Sequence, residues 1–195
     1  MTGRGRGDGG QTLGIYIVAV AALFFLAFAY FAVGQAVSVR NTAQTAADAS
    51  ALAAAREVRD SVRESFLDAL EAGDLDVIED LLALKGMVGG NACGAAQDYA
   101  AQNDAEVNEC HVDGPASATV ALRTSGTVGE SAIPETTSMR AHATATAVVD
   151  SRCSVDGKDG SKVMFICDGD PLTVDTTADD FDLNLAEFYS VHLSE

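Results

Sequence analysis

Apolar residues run without a break from Ile15 to Val33, 19 positions in all, and no charged residue occurs between Asp8 and Arg40. A helix from Leu13 to Gly34 would span about 33 Å at 1.5 Å per residue, enough for a bilayer core of about 30 Å. As a buried helix of a soluble fold, this segment would need sheathing on all sides, and only four Phe lie outside it to help. A secretory signal usually has an apolar core of about 7–15 residues. This run is longer and leads straight into helix-forming sequence, with Ala32-Val33-Gly34 the place where a cleavage site would fit. The pattern predicts a transmembrane helix over 13–34.

Beyond the span the periodicity stays helical. Residues 35–72 contain neither Pro nor Gly and are rich in Ala, Arg, Glu, Leu and Val, which are mostly good helix formers. One helix is expected from Leu13 to Ala72, stopped by Gly73. Within it, Thr42–Ala55 carries almost no large side chain, a smooth face that lets another helix or a sheet approach closely. Val58, Val62, Phe66 and Leu70 then recur every fourth residue, an apolar stripe for a domain to cover. Asp74 is a suitable N-cap for a helix over Leu75–Lys85, with Gly86 as its stop, and Asn91 for another over Ala92–Gln102. After that the period shortens. Glu106–Val112, Ala116–Gly126, Met139–Asp150, Val163–Cys167 and Phe188–Leu193 read as strands. Gly114-Pro115 and the run Asp156–Gly160 read as turns. The expected class is α+β: a long N-terminal helix, short helices and an antiparallel sheet. Residues 1–12, Gly-rich and polar, are expected to be disordered, and 73–195 to form the domain.

Charge narrows the partners. The chain carries 12 Lys+Arg against 29 Asp+Glu, a formal net charge of −17. Arg4 and Arg6 against Asp8 leave residues 1–34 at +1, so residues 35–195 hold −18. A domain this acidic cannot displace counterions from phosphate, so nucleic acid is excluded as a partner; it would also be repelled by an anionic membrane surface. Arg4 and Arg6 before the span predict a cytoplasmic N-terminus and a domain outside. All four cysteines, Cys93, Cys110, Cys153 and Cys167, fall on that far side, where an even number reads as two disulfides. Three connectivities exist. Cys93–Cys110 with Cys153–Cys167 is preferred, since sequence-local pairs suit a helix-to-strand clip and a hairpin. A zinc site fits poorly, because no C-x2-C pair occurs.

Other signals carry little. Gly5–Gly10 spells G-x-G-x-x-G but neither follows a strand nor opens a βαβ unit, and Arg6-Gly7-Asp8 lies on the predicted cytoplasmic side. His111, His142 and His192 form no H-E-x-x-H, and no G-x-S-x-G is present, so no enzymatic activity, cofactor or metal is expected. Asp156, Asp159, Asp168 and Asp170 would approach one another if Cys153 and Cys167 were bridged, and oxygen ligands on loops suit Ca²⁺. Their spacing is not that of an EF-hand, and solvated acidic turns are the preferred reading, as for Asp175, Asp179, Asp180 and Asp182.

Two stretches resemble a known family. One is the polar head Asp8-Gly9-Gly10-Gln11-Thr12 leading directly into the span. The other is the run from Arg40 to Ala55, within it Ala43, Gln44, Thr45, Ala46, Ala47, Asp48, Ala49, Ala51 and Leu52. Together they resemble the N-terminal domain of TadG-like and TadE-like proteins of the tight-adherence (Flp) pilus assembly machinery. The resemblance implies a pilin-like, membrane-anchored structural protein that contacts pilus assembly proteins or other pilin-like subunits, copies of itself included. It also implies that a prepilin peptidase would cut between Gly10 and Gln11. Pilin-type precursors often carry Glu five residues into the mature chain; here that position is Ile15. Asp48, the one charge on the smooth segment, reads by itself as a solvated helix position, and in a pilin-like assembly as a polar contact setting register between subunits. A membrane-anchored binding or adhesion module is the alternative.

Overall fold

Residues 11–114, 116–127 and 138–194 are described by a computed structural model. Helix α1 (Gln11–Asp60) is 50 residues long, about 75 Å end to end. Helices α2 (Arg63–Ala72), α3 (Leu75–Leu82) and α4 (Ala92–Gln102) follow, then strands β1 (Ala105–Asp113), β2 (Ser117–Thr124), β3 (His142–Ser151), β4 (Cys153–Asp159), β5 (Lys162–Cys167) and β6 (Asp170–Asp175). A one-turn helix α5 (Leu185–Phe188) leads into β7 (Tyr189–Leu193). The strands form two antiparallel sheets, one in the order β1-β2-β3-β7 and the other β4-β5-β6. The α+β class is as the sequence predicts.

The helical run expected over 13–72 is found over 11–72, but a turn at Ser61-Val62 divides it. Ser61 supplies the cause. Its Oγ donates to the Val58 carbonyl at 2.6 Å, and the Val62 N–H turns to Arg59, three residues back, at 3.5 Å. A serine hydroxyl that competes for helical carbonyls in this way bends or ends the helix. The bend carries Phe66 of α2 toward the second sheet.

Gly73 ends α2 as expected. It sits at φ +62°, its N–H donates to the Leu70 carbonyl at 3.1 Å, and the Asp74 N–H donates to Ala69 at 3.0 Å, the paired bonds of a left-handed helix stop. Asp74 then caps α3 by accepting from the Val77 N–H at 3.2 Å. Helix α3 stops at Leu82 rather than Lys85. The same pair of bonds closes it, with Leu84 rather than a glycine in the left-handed position at φ +64°.

Helices α1 and α4 lie side by side on one face of the four-stranded sheet. That face alternates along β2 as Ala118, Val120, Leu122 and Thr124, and along β3 as Ala145, Ala147 and Val149, all buried, as a half-buried strand requires. The second sheet and α2 meet in an aromatic cluster. Phe66 lies 4.8 Å from Phe188 and 6.2 Å from Tyr189, and Phe165 lies 5.0 Å from Phe188, centroid to centroid.

Three expectations about the strands need correction. The run Asp156–Gly160 is not one turn: residues to Asp159 belong to β4, which bulges at Asp156-Gly157, and only Gly160-Ser161 turn the chain. Strand β6 was not expected. Asp168-Gly169, both at positive φ, make the tight hairpin turn that such a dipeptide favours, and β6 follows. Phe188 ends a helix rather than beginning a strand.

Candidate membrane anchor and helix packing surface

Helix α1 has two halves with different chemistry. In the first, every large apolar side chain from Leu13 to Val37 is at least 47% exposed. This is not the core of the domain; it is an apolar rod projecting from it. By length and composition it is sufficient to cross a membrane, and the helix runs on unbroken through Ala32-Val33-Gly34. Gly10, on the expected cleavage bond, lies outside the described residues; Gln11 is the first residue of α1.

The second half starts at Ala43, the first fully buried residue of the helix. Ala43, Ala46, Ala47 and Ala51 are all at 0% exposure, as are Ala54 and Ala55. Their covering comes from the same chain. Helix α4 presents Ala92, Ala96 and Ala100 at four-residue spacing, and the sheet presents Ala118, Ala145 and Ala147. Methyl against methyl allows helix axes near the lower end of the usual range of about 8–10 Å. The smooth face predicted for close approach is therefore occupied within the chain. Of the remaining residues of the segment, Gln44 and Thr45 are exposed, and Asp48, Ala49 and Leu52 are half-buried. Gln44 donates through Nε2 to Asp48 at 2.7 Å. The two border a shallow groove with Thr144, Thr146, Leu193 and Ser194, beside the part of β3 that β7 leaves uncovered, since the β3–β7 pairing ends at Ala147 opposite Leu193.

Both disulfides form in the preferred connectivity, Cys93–Cys110 with Cα atoms 5.7 Å apart and Cys153–Cys167 with Cα atoms 4.0 Å apart. The first depends on a feature invisible in the sequence pattern. In β1, Ala105 is buried and Val107 half-buried, so strict alternation would turn Glu109 inward next. A bulge at Asn108 shifts the register by one, so that Cys110 and Val112 share the inner side with Val107 and Cys110 reaches Cys93 on α4. The second disulfide joins directly opposed residues of β4 and β5.

Arg152, between β3 and β4, was not singled out from the sequence. Its backbone N–H donates to Phe188 and its carbonyl accepts from Asp168, both at 2.9 Å. Its guanidinium donates to Asp168, from Nε at 2.7 Å, and to the Ala186 carbonyl at 3.3 Å. This residue, the link from β3 to β4, thus ties α5 to the β5–β6 turn of the second sheet. The only sequence signal was the Asp168-Gly169 hairpin dipeptide, which places that carboxylate opposite Arg152.

The acidic quartet does not assemble. Cys153 opposite Cys167 marks one end of the β4–β5 hairpin and Asp159 opposite Lys162 the other, so Asp168 and Asp159 are separated by the length of β5, about 17 Å. Among the described residues no group of three or more His, Cys, Asp or Glu side chains could hold a metal ion. His111 approaches Asp113 at 3.1 Å and His192 approaches Asp150 at 3.5 Å, all four exposed. Three groups titrate away from their ordinary ranges. The Arg123 guanidinium beside Glu106 lowers that carboxyl. Hydrogen bonds from the hydroxyl and N–H of Thr177 lower Asp175. Burial raises the Tyr189 phenol, whose hydroxyl has no partner among the described residues.

Residues 10–57 match the family model Tad, described as "Putative Flp pilus-assembly TadE/G-like". The match takes in the whole apolar rod and the alanine segment that docks on the domain, and ends just before Val58 opens the larger-residue stripe. No curated protein and no solved structure matches the chain.

Proposed function

We propose that this protein is a pilin-like structural or accessory component of Flp-type pilus assembly. It is held in the membrane by α1 and carries its acidic, disulfide-bonded domain outside the cytoplasm. The observation that carries the reading is the coincidence of the family match at residues 10–57 with one continuous helix that is bare and apolar in its first half and docked through alanines in its second. A rigid helix of this kind transmits the position of the domain to the membrane segment. The orientation rests on Arg4 and Arg6 ahead of the span and on the two disulfides, which persist in oxidising compartments.

The contacts available to pilus partners are the apolar rod, the flank of α1 bearing Gln44, Thr45 and Asp48, and the outer surface of the domain. The buried alanine stripe is not among them. Intact mass and N-terminal residue, measured on protein from membranes and from sheared surface material, test the reading. A start at Gln11 in sheared material is the expected result. An uncut chain confined to membranes would favour a permanently anchored binding or adhesion module instead. A start just beyond Gly34 would make the protein a secreted one and overturn the reading.

A further inference from the structure

Between Asp8 and Arg56 the chain has one cation, Arg40, and one anion, Asp48. Both lie on α1. Arg40 is exposed and Asp48 half-buried, and neither has an ion-pair partner among the described residues. Arg40, Gln44 and Asp48 follow one another at four-residue spacing, so they form a single stripe that drifts by about 80° around the helix. Gln44 holds the Asp48 carboxylate by its 2.7 Å hydrogen bond. Beside it lies the uncovered edge of β3. The Thr146 carbonyl faces Ser194 there at 2.9 Å, so by strand alternation the Thr144 carbonyl faces the same groove. The groove thus offers a carboxylate and a backbone carbonyl, which is what a guanidinium takes.

The cation that fits is carried by the same chain eight residues earlier. Two copies anchored in one membrane are parallel. At equal depth they would set Arg40 against Arg40 and Asp48 against Asp48, which is repulsive. Shifted by eight residues, about 12 Å along the helix, Arg40 of one copy meets Asp48 of the other, and Asp48 of the first comes level with Arg56 of the second. The membrane segment permits such a shift. Gln11–Val39 is 29 residues of α1 without a charge, about 43 Å of helix against a hydrocarbon core of about 30 Å, so a copy can move by about 13 Å before a charge enters the bilayer.

We propose that the Arg40–Gln44–Asp48 flank of α1 is a self-association surface that joins parallel copies of this chain with an axial stagger of eight residues, Arg40 of one copy seated on Asp48 of the next. The inference deepens the pilin-like reading by naming the partner. It is tested on the full-length chain alone, reconstituted in phosphatidylcholine vesicles, so failure of the pilus reading in cells leaves its outcome untouched.

A photo-crosslinking residue at Val37, which is exposed and central to the stripe, reports the stagger. The expected product is a covalent dimer joined from position 37 to residues 44–48 of the second copy. Arg40→Asp or Asp48→Arg lowers its yield about fivefold, the scale of an ion pair worth about 1 kcal/mol, and the combined reversal Arg40→Asp, Asp48→Arg and Arg56→Asp restores it. Non-reducing intact mass confirms that each variant keeps both disulfides. Attachment of 37 to 36–38 of the second copy would show an in-register pair and overturn the proposal. So would the absence of a crosslinked dimer, or a combined reversal as weak as the single changes.

Discussion

Replacing Ala47 by Leu gives the most direct test of how α1 meets the domain. Ala47 has no exposed surface and lies in the stretch of α1 that packs on α4 and the sheet. If that face were open, awaiting a partner, Leu would add three carbons of burial, worth about 2 kcal/mol in favour of folding at about 0.8 kcal/mol per methylene. If the face is closed, as the complete burial of Ala47 in the alanine-rich core indicates, the added volume has nowhere to go. Overpacking then costs about 1–3 kcal/mol. The two cases differ in sign, not only in size. In detergent micelles, with the domain transition followed by far-UV circular dichroism, the Ala47→Leu midpoint is expected to fall by roughly 4–8 °C for about 2 kcal/mol in a chain of this size. Gln44→Leu, one turn earlier on the exposed flank, is the control and should stay within about 2 °C. An unchanged or raised midpoint for Ala47→Leu would refute the closed interface, and the alanine segment would then be free for intermolecular use.

Three further outcomes follow from particular contacts. The disulfides close loops with sequence separations of 17 and 14 residues that do not overlap. Removing either pair as a double Cys→Ala variant should therefore cost about 3 kcal/mol, read from urea unfolding; a loss under about 1 kcal/mol for either would contradict the cross-link's role. Gly73→Ala should destabilise the domain by about 1–2 kcal/mol, because an L residue is strained in the left-handed position. The new methyl would also meet Lys158 Nζ at 3.0 Å, where that ammonium donates to the Gly73 carbonyl. Gly14→Ala, with nothing near its Cβ, should leave the same thermal transition unmoved. Glu106 has its folded pKa lowered by the Arg123 side chain, which donates from Nη2 at 2.7 Å. Its contribution is therefore present above the unfolded carboxylate range and is lost as pH falls through the lower folded value. An NMR titration of Glu106 should return to the ordinary range in Arg123→Met; a titration unaffected by that change would remove the pair as the cause.

Most elements could be read from the chain because each rests on local chemistry. Asp74 and Gly73 mark real helix ends, and the alternation in β2 and β3 is regular enough to place both strands. The misreadings share a cause. At Ser61 a hydroxyl competes with the helical ladder, and nothing in the surrounding helix-forming composition marks it. At Leu84 the chain accepts a left-handed residue two positions before the glycine that would have been the cheaper stop. At Asp156-Gly157 a bulge in a strand uses the residues of a turn. In each case a tertiary contact decided between two local options of similar energy. The Val88 N–H reaching Ser61 Oγ at 3.4 Å and the half-buried packing of Leu84 on the core are two of them.

The sequence by itself determined the apolar span and the alanine segment, and it favoured one disulfide pairing of three. An uncharged apolar run and a stretch of methyl side chains have few physical alternatives, whereas four cysteines admit three pairings. It did not determine what the alanine segment touches. A small-residue face suits a neighbouring subunit and the chain's own sheet equally well, because close approach depends on the missing side-chain volume and not on whose backbone fills it. Only the tertiary structure laid α4, β2 and β3 over that face. It set the Asn108 bulge that turns Cys110 inward, and it left Arg40 and Gln44 exposed and Asp48 half-buried beside the edge of β3.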